Sequence, residues 1–275
     1  DNGTHLFAIW SEDNGEGKGE IRSAVYDNGT DFWDTNSNFQ ALNYSTSYSA
    51  NNPQLLYNNS SLYAIWSENN GTANQVRVKQ FDNSSSWTFV DGNGSTGINK
   101  ATGKNATDPA MAVLSTKLYI AWSETNADNR TQIRVKSYDG SSWSFVDGNH
   151  ATKGINKDYT QNASYPQLVK VTEGNIVRST DYGTSWNNAT FNSSSSKLYA
   201  VWLEENGNTQ VRVTEFDGTS TWSFKDGNSF DGLNLNTAKI TGKPSAAAYL
   251  NKLIVAWSET NSLGVPQIRV AKSPF

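Results

Sequence analysis

Residues 118–148 read LYIAWSETNADNRTQIRVKSYDGSSWSFVDG, and they contain the unit that the whole chain repeats. An apolar run ends in Trp-Ser-Glu, a polar turn follows, and a second run is centred on an arginine. After Asp-Gly comes a short tryptophan run that ends in another Asp-Gly. In a strand, the first run would place Leu118, Ile120, Trp122 and Glu124 on one face and Tyr119, Ala121 and Ser123 on the other, and the second run alternates polar and apolar residues. The stretch therefore predicts consecutive antiparallel strands joined by tight turns.

The apolar run of this unit occurs five times along the chain. The copies begin at Leu6, Leu62, Leu118, Leu198 and Leu253, at intervals of 56, 56, 80 and 55 residues. A period in this range is typical of repeat proteins, whose units bury their apolar faces against one another. In the third copy a short run of small residues, 109–113, adds a fourth strand. We therefore predict an all-β fold, a five-bladed β-propeller of four-stranded antiparallel blades with a period of about 56 residues.

The repeats predict a single propeller domain. It covers residues 1–275, with repeats starting near residues 6, 62, 118, 198 and 253 and an insertion over 172–196. The first copy has no small-residue strand ahead of it, and the fifth has no tryptophan strand after it. We expect either that the ring closes with two incomplete blades, or that strands from another chain or a deleted region complete them. The second option would allow self-assembly through the terminal blades.

The insertion carries a recognisable turn motif. Ser179, Asp181, Gly183 and Trp186 fit the pattern S-x-D-x-G-x-x-W. In this hairpin the chain resembles the Asp-box of sialidases and related propellers, which implies a structural turn without catalytic residues. Over nearly its whole length, the repeat is similar to those of bacterial and archaeal surface propellers and of propeller lectins. The functions of those families vary too widely for one of them to be transferred.

Composition excludes several classes of function. The chain has 22 Lys+Arg against 26 Asp+Glu, a net charge of −4, so it offers no basic field for nucleic acid or anionic lipid. It has no Cys, and its two histidines, His5 and His150, lie far apart, which disfavours thiolate chemistry, a histidine metal site and a catalytic triad. No apolar run approaches the length of a membrane span. We expect no nucleic-acid partner, no membrane insertion and no cofactor.

Sequons are numerous, and they favour a glycosylated protein that is extracellular or on the cell surface. Thirteen Asn-X-Ser/Thr sites occur, and nearly all lie in predicted turns. The candidate acceptors are Asn2, Asn28, Asn43, Asn58, Asn59, Asn70, Asn83, Asn93, Asn105, Asn129, Asn162, Asn188 and Asn192.

A glutamate and an arginine recur once per repeat. The pairs are Glu12 and Arg22, Glu68 and Arg77, Glu124 and Arg134, Glu204 and Arg212, and Glu259 and Arg269. We expect each pair to meet on adjacent strands as a charge-assisted bond. Groups repeated in every blade serve every blade equally, whereas a single active site needs residues that break the repeat. These pairs therefore predict scaffolding.

Loops after the tryptophan strands are candidates for ligand binding. Tryptophan faces can stack on sugar rings while Asp and Asn bond the hydroxyls, so we expect interblade carbohydrate sites here, with simple packing of the tryptophans as the alternative. The candidates are Trp87, Asp91, Asn93, Trp143, Asp147, Asn149, Trp222, Asp226 and Asn228. The same loops have oxygen groups suited to calcium, best at Asp226, Asn228 and Asp231, although an Asx-turn is the favoured explanation.

These observations predict a non-catalytic extracellular propeller for recognition or adhesion, with lectin-like sugar binding as its most concrete form. Its expected partners are glycans or other surface proteins. Two alternatives remain: a structural subunit of a glycosylated cell-surface layer or filament, and a glycoside hydrolase of sialidase-like fold. A sialidase-like site would require clustered arginines for a substrate carboxylate, and other glycosidases would require two or three carboxylates at a fixed separation. In either case the site needs residues that break the repeat.

Overall fold

The computed structural model describes residues 5–27, 32–34, 41–58, 60–82, 86–173, 195–229, 231–239 and 241–274. All regular structure in these residues is β-strand, arranged as five antiparallel sheets, of which three have four strands and two have three. The residues described form no helix of the length and apolar content that crossing a membrane requires. The prediction of an all-β protein built from antiparallel sheets is confirmed, and closure of the sheets into a ring stays a prediction.

The strands follow the repeats in chain order. Sheet 1 contains β1 (Leu6–Asp13), β2 (Gly19–Asp27) and β3 (Phe32–Asp34). Sheet 2 contains β4 (Ala50–Asn58), β5 (Ser61–Asn69), β6 (Asn74–Phe81) and β7 (Trp87–Phe89). Sheet 3 contains β8 (Ala106–Leu114), β9 (Lys117–Thr125), β10 (Thr131–Tyr138) and β11 (Trp143–Phe145).

Sheets 4 and 5 continue the series. Sheet 4 contains β12 (Ala163–Glu173), β13 (Ser195–Asn206), β14 (Asn208–Phe216) and β15 (Trp222–Phe224). Sheet 5 contains β16 (Ser245–Tyr249), β17 (Lys252–Thr260) and β18 (Pro266–Lys272). β12 pairs directly with β13. The additional residues of the 80-residue interval therefore fall between these two strands of sheet 4.

Each sheet has two different faces, and neighbouring sheets pack one kind of face on the other. The tryptophan face of sheet 3 carries Ile120 and Trp122, which pack with Ile65 and Val76 of sheet 2. We call the side that carries Ile65 and Val76 the aliphatic face. The same pairing recurs between sheets 3 and 4 and between sheets 4 and 5. Trp122 is fully buried at this boundary, so its large apolar side chain contributes to the stability of the contact.

Candidate functional site

The first strands of sheets 2, 3 and 4 share an irregularity at the same point of the repeat. In each, the pairing register shifts, between Asn51 and Gln54 in β4, for example. The shifts enclose three non-glycine residues with positive φ, Asn52 (55°), Asp108 (52°) and Tyr165 (57°), and each precedes a proline. Bulges of this kind re-aim a side chain and are frequent beside active sites.

These bulges converge on one cavity of about 240 Å³, which we call the bulge cavity. Asn52, Asp108 and Tyr165 line it together with Lys243, which precedes Pro244 at the same point of the fifth repeat. The prolines are constant, while the residues before them are an amide, a carboxylate, a phenol and an ammonium group. The four repeats therefore differ in the side chain that they contribute to this cavity.

The polar groups of the bulge cavity contact one another. Asn52 Nδ2 donates a hydrogen bond to Asp108 Oδ1 at 3.3 Å, and the Thr107 hydroxyl donates to Asp108 Oδ2 at 3.1 Å. The Lys243 ammonium lies over the Tyr165 ring, 3.8 Å from its centroid. A single carboxylate, a tyrosine and a lysine thus line one cavity.

Of the expected Glu–Arg pairs, the ion pairs of the described residues include the one in sheet 1, where Arg22 Nε lies 3.1 Å from Glu12 Oε1. The register explains the correction: Arg134 lies opposite Trp122, while Glu124 lies opposite Gln132. In sheets 2, 3 and 4 the arginine turns instead to the aspartate of the Asp-Gly-Asn loop. The three ion pairs are Arg77–Asp91, Arg134–Asp147 and Arg212–Asp226, with Nε–Oδ2 distances of 2.8, 2.8 and 3.1 Å.

The glutamates of sheets 2 to 5 act instead as links to a preceding loop. Glu124 accepts hydrogen bonds from Trp122 Nε1 at 2.7 Å and from the backbone N–H groups of Lys100 and Ala101 at 2.9 and 2.7 Å. The same three bonds recur at Glu68, Glu204 and Glu259. Burial raises the pKa of Glu68 and Glu204 above the ordinary range. The prediction that the glutamates are scaffolding fits these contacts.

The aspartates that were predicted to bind a ligand instead form ion pairs with arginines of the same sheet. Asp91, Asp147 and Asp226 are all buried, and each accepts backbone N–H bonds as well as its arginine. Burial raises the pKa of each of these carboxyl groups, and the guanidinium lowers it part of the way back. The carboxylates therefore face the protein and not a ligand.

Calcium binding in these loops has no support from the geometry. The Asp226 carboxylate forms an ion pair with Arg212. The part of the chain that the structure describes has no group of three or more His, Cys, Asp or Glu side chains placed to hold a metal. Gly154, which follows the Asp147-Gly-Asn149 loop, also has a structural role, because a Cβ at this position would overlap the carbonyl oxygen of Ile133. Asn156 then accepts the Ile133 N–H at 2.8 Å, which fastens the loop to β10.

The candidate sugar-stacking tryptophans join one sheet to the next. Trp143 Nε1 donates to the carbonyl of Val90 at 2.7 Å, and Trp222 Nε1 donates to that of Val146 at 2.9 Å. Trp143 also stacks on Tyr138 with a centroid distance of 4.8 Å, and Trp87 packs on Phe81 at 5.2 Å. These contacts correspond to the packing alternative.

The asparagines of the same loops also bridge sheets. Asn149 Oδ1 accepts from Lys100 Nζ, and Asn228 Oδ1 accepts from Lys157 Nζ, both at 2.7 Å. Asn93 lies at a positive φ of 51°, as in a turn, and its N–H donates to Asp91. None of the three amide groups has the arrangement of a shared ligand site with its neighbouring aspartate, because those aspartates point to arginines.

The structure separates the predicted glycan acceptors by access. Asn43 and Asn58 are buried, and their amide nitrogens donate to the carbonyls of Gly19 and Thr116, so a glycan there would break these bonds. Asn93, Asn105 and Asn129 are exposed, and Asn70 and Asn162 lie at turns with their side chains hydrogen-bonded. Asn2, Asn28, Asn59, Asn83, Asn188 and Asn192 lie outside the described residues, as do Ser179, Asp181, Gly183 and Trp186 of the Asp-box.

The bulge cavity was not predicted from the sequence. Its signal was present, because the position before the recurring proline holds a different polar residue in each of these four repeats, while the proline itself stays constant. Asp108 is thus a carboxylate that does not recur at this point of the other repeats, whereas the sequence alone predicts only that Pro109 begins a short strand.

No protein-family model and no curated protein matches the sequence. Solved structures do match. The GH93 α-L-arabinofuranosidase of Fusarium graminearum, in complex with arabinobiose, superposes with a TM-score of 0.52 at 14% identity, over 98% of this chain and 78% of that one. A Hadza microbial sialidase gives a TM-score of 0.53 at 9% identity, over 99% of this chain and 55% of that one.

A polysaccharide lyase gives a TM-score of 0.51 at 10% identity, over 98% of this chain and 55% of that one. The chain thus spans about 55% of the length of the sialidase and of the lyase. Likeness at these identities shows a shared fold.

These comparisons correct the expected function. The sequence predicted a non-catalytic recognition or adhesion module and no enzyme, and that interpretation is wrong, because the solved structures that share the fold are a glycosidase, a sialidase and a lyase. Of the alternatives considered, the comparisons favour the sialidase-like glycoside hydrolase over the structural subunit.

Proposed function

We propose that this protein is a glycoside hydrolase of sialidase-like fold whose active site is the bulge cavity. The observation that carries the proposal is the convergence of four non-repeated side chains, Asn52, Asp108, Tyr165 and Lys243, on one cavity in an otherwise repetitive structure. Polar side chains of four different chemistries that face one cavity are the arrangement expected of an active site.

The residues present suit one type of glycosidase better than another. Most glycosidases use a pair of carboxylates, one on each side of the scissile bond, whereas sialidases use a tyrosine as the nucleophile. Among the described residues that line the bulge cavity, Asp108 is the one carboxylate and Tyr165 the one tyrosine. We assign nucleophilic attack on the anomeric carbon to the Tyr165 phenol oxygen, whose proton passes to solvent, and the bond to the leaving glycosidic oxygen breaks as the glycosyl–tyrosine bond forms. Asp108 in its protonated form gives that oxygen a proton, and it then takes a proton from the water that hydrolyses the glycosyl–tyrosine bond.

Supporting groups have definite tasks in this scheme. Asn52 and Thr107 hold the two oxygens of Asp108 by hydrogen bonds, which fixes the carboxylate for proton transfer. The Lys243 ammonium lies at the Tyr165 ring, where a positive charge would favour the phenolate during attack.

The substrate class follows from the charge of the cavity lining. The arginines of sheets 2, 3 and 4 are held in buried ion pairs, so none of these three can grip a substrate carboxylate. Lys243 is the basic residue among those that line the cavity. We therefore assign a neutral or singly acidic glycoside, whose carboxylate, where present, binds one ammonium group. Partner glycans and an extracellular location fit such an enzyme.

Ring closure is not required for this site, since sheets 2 to 5 supply its lining. The proposal is tested by incubating the protein with fluorogenic arabinofuranosides, sialosides, glucuronides and neutral pyranosides. Release of the fluorophore from at least one class, above the rate of heat-denatured protein, is expected. Absence of release across all four classes would contradict the assignment.

A further inference from the structure

Sheet 5 presents an exposed apolar face at a position that is core in the other sheets. Ile268 and Val270 of β18 are 75% and 65% exposed. The residues in the same register of sheet 3, Ile133 and Val135, are fully buried. Strands with apolar side chains on an exposed face and an unpaired edge are templates for association.

Sheet 1 has the complementary exposed face. Leu6 is 48% exposed, while Leu118 at the same point of sheet 3 is 1% exposed. The Glu12 side chain is 46% exposed, whereas Glu124 is buried beneath a preceding loop. Within the part of the chain that the structure describes, the tryptophan face of sheet 1 is thus more exposed than the tryptophan faces of sheets 3, 4 and 5.

The boundaries inside the chain show what fits each face. Ile65 and Val76 of sheet 2 lie against Ile120 and Trp122 of sheet 3, and the pairing of an aliphatic face with a tryptophan face recurs at the next two boundaries. The aliphatic face of sheet 5 and the tryptophan face of sheet 1 are therefore the two halves of one more such boundary. Among the described residues both halves carry exposed apolar side chains, Ile268 and Val270 on sheet 5 and Leu6 on sheet 1.

We propose that the aliphatic face of sheet 5 docks on the tryptophan face of sheet 1 of a second copy of this chain. The two faces differ, so the contact is head-to-tail, and each added copy leaves one face of each kind free. Association then depends on protein concentration. This interaction goes beyond the proposed hydrolase activity and uses none of the residues of the bulge cavity.

Sedimentation velocity over a range of protein concentrations tests the docking. The wild-type protein is expected to shift from monomer to larger species as concentration rises. Ile268→Asp/Val270→Asp, which charges the sheet 5 face, and Leu6→Asp, which charges the sheet 1 face, should each lose this shift. Leu263→Asp is the matched control, because Leu263 is 85% exposed in a turn outside both faces, and it should assemble like wild type.

A mixture of the two charged variants tests whether the contact is head-to-tail. Each charged variant keeps one intact face of opposite kind, so an equimolar mixture of the two should form dimers and nothing larger. Ile268→Ser/Val270→Thr, which keeps strand-forming residues, should weaken assembly in the same direction, and circular dichroism verifies the fold of every variant. A wild-type protein that stays monomeric at all concentrations, or a sheet 5 variant that assembles as wild type does, overturns the proposal.

Discussion

Arg134 and Asp147 form an ion pair with almost no contact with solvent: Nε and Oδ2 lie 2.8 Å apart, and the side chains are 3% and 0% exposed. Asp147 also accepts the Val135 N–H at 3.1 Å, so its two oxygens hold an arginine and a strand together. Equivalent buried ion pairs occur in sheets 2 and 4, so this contact recurs in three of the sheets.

Removing the charge of Asp147 leaves a guanidinium buried without its counterion. We expect Asp147→Asn to lower the free energy of unfolding by about 3–5 kcal/mol, the usual loss when one partner of a buried pair is removed. Urea denaturation measures it. Glu12→Gln, in the exposed pair of sheet 1, is the control and should lose about 1 kcal/mol or less. Equal losses in the two variants would show that burial does not matter here.

Glu124 ties β9 to a loop that comes from sheet 2. In Glu124→Ala the Trp122 indole N–H and two backbone N–H groups lose their acceptor, and we expect the free energy of unfolding to fall by about 2–4 kcal/mol. The matched control is Glu12→Ala, because Glu12 accepts from the Trp10 indole at 2.8 Å but lies on an exposed face. If thermal unfolding shows the same loss for both, the loop bonds of Glu124 contribute little.

Two lysines make the free energy of unfolding change with pH in the alkaline range. Burial lowers the pKa of Lys79 and Lys136 from 10.5 to about 8, and each ammonium lies 4.3 Å from the centroid of a phenylalanine ring. Between these pKa values the unfolded chain keeps a proton that the folded chain has released, so the free energy of unfolding rises with pH from about 8 to 10.5 and is lower below pH 8.

The chain supplies its own control for this effect, since Thr214 occupies the register position of Lys136 in sheet 4. Lys136→Thr should remove about 1–3 kcal/mol of the pH-dependent rise, after allowance for the solvent that still reaches the amine. Urea denaturation of both proteins at pH 7 and pH 10 tests it. A rise that is unchanged in the variant would mean that Lys136 titrates normally.

Trp143 is expected to act in sheet packing and not in sugar binding. Trp143→Phe keeps the ring stacked on Tyr138 but removes the donor to Val90, and we expect a loss of about 1 kcal/mol in unfolding free energy. Trp33→Phe, at the matching strand of sheet 1 and 38% exposed, should lose less. Differential scanning calorimetry makes the comparison, and a larger loss at Trp33 would be inconsistent with this role.

Strands and their order followed from sequence because the alternation and the repeat are local signals. The apolar run at 118–124, for example, lies within β9, Lys117–Thr125. The partner of Arg134 did not follow, because a hairpin's turn sets which residues lie opposite, and here it places Trp122 there. The bulge cavity needed four sheets to be assembled in space. No local sequence pattern predicts that Asp108 and Lys243 line the same cavity. Both residues do occupy the variable position before the recurring proline.

The central claim, that Asp108 performs chemistry in the bulge cavity, is tested most directly by one comparison. The catalytic efficiency kcat/KM of Asp108→Asn is measured on the fluorogenic glycoside that wild type cleaves fastest, beside Asp128→Asn, which alters an exposed turn carboxylate of the same sheet. We predict a fall of about 10²–10⁴-fold for Asp108→Asn, the range of a lost proton-transfer group, and no change for Asp128→Asn. Full activity of Asp108→Asn, with its fold intact by circular dichroism, would contradict the account.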